Sequence, residues 1–155
     1  MALEHSYKIT ISNNKTEQRA LDYLIHADSR FLIPTKESRK HILEILKLPS
    51  RYSRAFDLFT IPGHTNTERE IVIKKANTIT LIELKTTQKY LPHNPSGFFF
   101  GATQNEFNLA KRLGKQYKFC FVSLHSNSPN HQLLTYKELE KRMRNKRIQF
   151  QIQLS

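Results

Sequence analysis

Ile79-Thr80-Leu81-Ile82-Glu83-Leu84-Lys85-Thr86-Thr87 is the stretch from which the fold is read. Its apolar, β-branched residues make a short run of the length and composition of a buried strand. A carboxylate and an ammonium interrupt the run near its C-terminal end. Strand residues two apart share a face, so Glu83 and Lys85 project to one side and Ile82 and Leu84 to the other. A Glu and a Lys on one side of a strand can hold a metal and a water together. They can equally make a plain ion pair at a strand end, the commoner meaning of Glu-x-Lys.

Upstream, Arg54-Ala55-Phe56-Asp57-Leu58-Phe59-Thr60-Ile61 is a second strand-like run that carries one Asp among hydrophobes. Pro62-Gly63 signals a turn, Glu70-Ile71-Val72-Ile73-Lys74-Lys75 reads as a further strand, and Ala76-Asn77 turns into the first-quoted run. The three strands are expected to form an antiparallel meander. Asp57 and Glu83 then meet at one end of it, with Glu70 a weaker acidic candidate near a strand end.

Downstream comes a long loop punctuated by Pro92, Pro95 and Gly97, then Phe98-Phe99-Phe100, expected to close the core or to lie over a substrate. Thr103 and Glu106 have the spacing of a capping box, which explains both residues without chemistry. Phe107, Ala110 and Leu113 make the apolar stripe of that helix, and Gly114 ends it. Tyr117 to Leu124 reads as a strand brought parallel to the central one by this crossover. Thr135 caps a helix expected over 136–144. Ile148, Phe150, Ile152 and Leu154 alternate with Gln149, Gln151 and Gln153, the period of a final amphipathic strand.

At the N-terminal end, Tyr7-Lys8-Ile9-Thr10-Ile11 suggests a short edge strand and residues 13–16 a turn. Thr16 is the expected cap of a helix from Glu17 to Ala27, with Ala20, Leu21, Leu24 and Ile25 buried. Glu17 suits the positive end of that helix. Thr35 caps a second helix, whose stripe is Ile42, Leu43, Ile45 and Leu46.

The 155 residues suffice for one domain with a real core, and ten Phe and six Tyr support a folded chain. A net charge of +12, from 25 Lys and Arg against 13 Asp and Glu, favours a polyanionic partner. No apolar run approaches the roughly 20 residues that span a bilayer, so nucleic acid is expected and membrane is not. The single Cys120 lies in an apolar run, fitting a reducing cytoplasm and an inert thiol. The seven His residues show no zinc spacing with it.

Asp57, the Glu83-x-Lys85-Thr86-Thr87 strand, the aromatic patch, Thr103-x-Asn105-Glu106 and the Tyr117-led strand occur in an order that resembles the PD-(D/E)xK nuclease superfamily. Over residues 55–125 the pattern is similar to the small domain sometimes called the NO VEIN C-terminal domain. Phe56 stands where the superfamily usually has proline. The resemblance implies an α/β (α+β) chain with a restriction-endonuclease-like core, a central mixed sheet flanked by helices. It implies Asp57, Glu83 and Lys85 as catalytic residues. Mg²⁺, replaceable by Mn²⁺, would be held by Asp57, Glu83 and the Leu84 carbonyl, with Glu17 as a candidate extra ligand. Gln104, at the start of its helix, is a candidate accessory residue alongside Glu70.

Arg39, Lys40, Arg51, Arg54, Lys89, Lys111, Arg112, Lys141, Arg142 and Arg144 are the candidate contacts to double-stranded DNA. The implied activity is that of a small restriction-type DNA endonuclease of a prokaryotic or phage-type cytoplasm. With one site per chain, cutting both strands calls for a homodimer. The alternatives are a structure-specific nuclease of the Holliday-junction resolvase type and a DNA-binding module without catalysis.

Overall fold

The structure, a computed structural model, describes the backbone of residues 2–71, 73 and 75–155, and the side chains of these from residue 15 onward. In chain order the main elements are α1 (Ala2–Ala27), α2 (Lys36–Ile45), β1 (Leu58–Thr60), β2 (Thr80–Thr87), α3 (Gln104–Leu113), β3 (Tyr117–Ser123), β4 (Asn130–Thr135) and α4 (Tyr136–Arg142). The strands make one mixed sheet in the order β1-β2-β3-β4. The β1–β2 and β3–β4 pairs are antiparallel and β2–β3 is parallel. This is an α+β fold with a central mixed sheet flanked by helices.

The two-residue period of β2 divides the interior. Leu81 joins Phe59, Phe119 and Phe121 on one face, packed with Ile42 and Leu43 of α2, Leu109 and Ala110 of α3 and Leu139 of α4. Ile82 and Leu84 join Leu58, Cys120 and Val122 on the other, under Ala20 and Leu24 of α1. At about 25 cal/mol per Å² of apolar surface removed from water, both faces are strongly held to their helices. Cys120 is a buried free thiol whose pKa burial pushes up to about 12, so it is inert as expected.

Helix starts follow local chemistry. Thr35, Thr103 and Thr135 each accept a hydrogen bond from the third residue of their helix, closing capping boxes with Ser38, Glu106 and Glu138. Gly114 ends α3 at φ 56°, a left-handed conformation that favours glycine. The last helix stops at Arg142, two residues short of the expected end.

Four expectations from sequence are corrected. Tyr7–Ile11 is not an edge strand, and no helix begins at Thr16: both lie inside α1, where helix propagation from the packed Glu17–Ala27 turns adds one backbone bond per residue. Instead, the Thr16 hydroxyl accepts from Gln88 Nε2 at 3.4 Å. Glu70, Ile71, Ile73 and Lys75 form no strand, while Val72 and Lys74 lie outside the described residues. The meander is therefore not formed: β1 pairs with β2 directly, Leu58 opposite Ile82. Residues 148–154 form no strand either, and Ile148, Phe150, Ile152 and Leu154 are 78–85% exposed. A period-two pattern makes a strand only where a neighbour completes its hydrogen bonds. β4 pairs with β3 where only a lead-in to Thr135 was expected.

The aromatic patch is split. Phe98 and Phe100 pack edge-to-face on Phe121, with ring centroids 5.0 and 5.1 Å away, while Phe99 is 94% exposed. The first two close the core and the third does not.

Candidate functional site

Asp57 immediately precedes β1, on a segment fixed by its carbonyls. The Arg39 guanidinium donates to Ser53 O at 2.7 Å and to Phe56 O, and lies 4.5 Å over the Phe56 ring. The buried Tyr117 hydroxyl donates to Ala55 O at 2.5 Å. Asp57 N–H donates to Ile82 O at 2.8 Å, the last backbone bond before the ladder proper. One step along β2, Leu84 N–H donates to Asp57 Oδ2 at 2.8 Å. The N–H and C=O of a strand residue point to the same neighbour, so the Leu84 carbonyl is directed to the Asp57 side of β2.

Glu83 and Lys85 share a face, as their spacing requires, but Lys85 does not rest on Glu83 alone. Its ammonium donates to Glu83 Oε1 at 3.3 Å and to Glu106 Oε1 at 2.5 Å. The side chains of all three are nearly buried, at 11%, 10% and 6% exposure in the order Lys85, Glu83, Glu106. Glu106 Oε2 meanwhile accepts from the Thr103 hydroxyl at 2.6 Å and the Thr103 N–H at 3.1 Å. One carboxylate thus closes the helix cap and anchors the central ammonium. Sequence reasoning assigned Glu106 to the cap only; its second partner comes from β2, 21 residues away.

The remaining oxygen of Glu83, Oε2, is buried with no hydrogen-bond donor among the described residues. Burial, then the Asp57 charge, pushes the Glu83 carboxyl up to about 10 against its ordinary 4.5. Lys85 opposes that rise, and the Glu106 charge adds to it. Burial likewise works to raise Glu106, but the Lys85 and Thr103 hydrogen bonds outweigh it and leave the pKa lowered. Burial works to lower Lys85, and the two glutamates outweigh it and leave the pKa raised. The charged pair at neutral pH is therefore Lys85 with Glu106, while Glu83 holds a proton.

This arrangement has a pH signature in metal-free protein. A carboxyl whose folded pKa is raised stabilises the fold most at low pH, and loses that contribution as pH rises from about 4.5 to about 10. Lys85 acts above this window and Glu106 below it. The expected result is a stability that falls between pH 7 and 9 by about 1 kcal/mol per pH unit. Glu83→Gln flattens that slope. Urea unfolding of both proteins across the window checks it, and equal slopes would remove the proton from Glu83.

Glu17, on α1, stands at the rim. It is largely exposed, yet partial burial and the Asp57 charge raise its pKa, against the opposing pull of Lys85. The structure brings it within electrostatic reach of the acids. Among the described residues no three of His, Cys, Asp and Glu make a ready metal cage. Asp57, Glu83 and the Leu84 carbonyl are the oxygens that could face one cation, with the Glu17 carboxylate at the rim. Such a sparse set suits a hard cation that keeps several waters, and the unpartnered Glu83 Oε2 is an atom that a cation would satisfy.

Two accessory candidates are not brought in. Gln104 is exposed and donates to Asn108 Oδ1 at 2.8 Å along its own helix, and Glu70 is exposed. Of the candidate cations, Arg39, Lys40 and Arg54 line a cavity together with Asp57. Arg51 lies 4.9 Å over the Tyr52 ring, and Lys89 is exposed beyond β2. Lys111 and Arg112 belong to the last turn of α3 and Lys141 and Arg142 to that of α4, with Arg144 exposed just after. Lys111 lies 5.2 Å over Tyr136, and Arg142 donates to Ser96 Oγ at 2.8 Å. No described helix is long and apolar enough to cross a membrane. Comparisons with family models, curated proteins and solved structures found no match to this chain.

Proposed function

We propose that the chain is a Mg²⁺-dependent DNA endonuclease with the restriction-endonuclease-like core, acting at the junction of β1 and β2. The observation that carries this reading is the convergence of Asp57, Glu83 and Lys85 at one sheet end, with Glu83 Oε2 buried and unpartnered. A chain of net charge +12 can attract a phosphate backbone to such acids, which a pure binder has little use for.

Asp57, Glu83 and the Leu84 carbonyl would hold the divalent cation, Mg²⁺ or Mn²⁺. When bound, it supplies a Lewis acid for the phosphate and lowers the pKa of a water. Glu83 would give up its proton to serve as a ligand. Asp57 stays aimed by its bond to Leu84 N–H. Lys85 remains an ammonium because Glu106 keeps it charged, so it stabilises developing negative charge and does not serve as the base. Arg39 holds the carbonyls that set Asp57 in place.

The substrate is best read from a panel of supercoiled plasmid, linear duplex and a four-way DNA junction, each with Mg²⁺ and with EDTA. Discrete plasmid fragments in Mg²⁺ alone are the expected outcome, and single-site enzymes that cut both strands act as two-fold dimers. Cutting confined to the junction would place the chain with the resolvase-type nucleases. Binding without cutting of any substrate would overturn the catalytic reading in favour of a DNA-binding module.

A further inference from the structure

Beside the acids lies a cavity of about 640 Å³ between α2 and the segment that leads into β1. Its volume falls in the range of roughly 300–1,000 Å³ typical of small-ligand sites. Lys36, Arg39, Lys40 and Leu43 line one wall. They sit at i, i+3, i+4 and i+7, a single helical face. Ser50, Ser53 and Arg54 line the other wall, and Asp57 connects the cavity to the acid cluster. Four cations thus face one carboxylate and two hydroxyls.

A merely solvated helix face would scatter these charges or pair them with acids. Stacking like charges at i, i+3 and i+4 costs a few tenths of a kcal/mol per pair. Among the described residues no ion pair involves Lys36, Lys40 or Arg54. Arg39 differs from these three. Half-buried, tied to two carbonyls and lying on Phe56, it offers a fixed planar cation. Such guanidinium planes stack on nucleobases. The three exposed cations suit a phosphate, and the fixed one suits the base or sugar attached to it.

We propose that this cavity binds one nucleotide of a DNA strand, its phosphate on Lys36, Lys40 and Arg54, and so seats the nucleotide next to the phosphodiester at Asp57. The identity of the ligand as part of a strand rests on the nuclease reading; the phosphate site itself rests on the cavity. The pocket, not a duplex-wide charged face, then carries most of the affinity for a single strand.

The test is fluorescence anisotropy of a labelled short oligothymidylate in EDTA, where nothing is cut, competed by thymidine 5′-monophosphate or by thymidine. Monophosphate is expected to displace the strand and thymidine is not. Lys36→Ala/Lys40→Ala/Arg54→Ala is expected to weaken binding at least tenfold, and to make the log–log salt slope shallower by about 0.7, the value for one single-strand phosphate contact. Lys115→Ala/Lys137→Ala, which removes exposed charge elsewhere, is expected to shift affinity far less. Equal losses in the two variants, or equal competition by thymidine, would overturn the pocket, as would no binding at all. Thermal melting of each variant confirms its fold. Cleavage in Mg²⁺ with failed pocket binding would sink this inference alone. Pocket binding without cleavage would sink the nuclease reading and leave a nucleotide site.

Discussion

Lys85→Met is expected to destabilise the chain by about 3–5 kcal/mol, because it strands buried carboxylate charge without its cation. Lys85 is the hub of the cluster: it pairs with Glu106 at 2.5 Å and Glu83 at 3.3 Å, in surroundings where all three side chains are nearly buried. The loss belongs to the unpaired charge and not to the missing ammonium stem, which Met replaces in volume. Lys85→Met/Glu106→Gln should therefore recover a large part of it, since Gln keeps the cap on Thr103 while removing the charge. Chemical denaturation of the two variants reads the difference. If the double variant were no more stable than the single one, the buried charge would not be the cause.

The second large effect concerns the cation. Occupancy of a site absent from the unfolded chain stabilises the fold by about 2.7 kcal/mol when free ligand is 100 times its dissociation constant. For a domain of this size that corresponds to a rise in melting temperature of roughly 5–10 °C. Wild type should show this rise with Mg²⁺ or Mn²⁺. Asp57→Asn should show almost none, because it loses the proposed ligand that Leu84 N–H aims. Glu83→Gln should behave differently in one respect: it also loses the cation response, but its metal-free form no longer melts earlier as pH is raised. A full cation response in both variants would move the metal away from these residues.

Much of this was legible in the sequence because it is local. The capping box at Thr103 and the cap at Thr135 need only a few consecutive residues, and α3 and α4 begin where they indicate. The period of two in β2 placed Glu83 and Lys85 on one side and Ile82 and Leu84 on the other, and the two interior clusters divide along that line. The meeting of Asp57 with β2 was expected too, although through an intervening strand that the described residues of 70–75 do not form.

What escaped was decided at long range. Glu106 carries a complete local explanation, and nothing nearby in sequence announces Lys85 as its second partner. The alternation in Tyr7–Ile11 and in Ile148–Leu154 looks alike, yet the first is helix and the second unpaired, because neither has a strand beside it. β4 escaped for the opposite reason. Asn130 and Gln132 weaken its pattern, and only β3 alongside gives it strand geometry. The basic cavity also depends on assembly: the cations of α2 and Arg54 are 14 or more residues apart in sequence and face one another only once Arg39 has tied the two segments together.

The measurement that bears most directly on the whole account is the conversion of supercoiled plasmid by wild type and by Asp57→Asn, in Mg²⁺ and in EDTA. Wild type should nick or linearise the plasmid in Mg²⁺ only, and Asp57→Asn should slow this by at least about 100-fold, the scale of removing one essential group from an electrostatic site. DNA binding should persist in the variant. Undiminished cutting by Asp57→Asn, or none by a folded wild type that binds Mg²⁺ and DNA, would contradict the account.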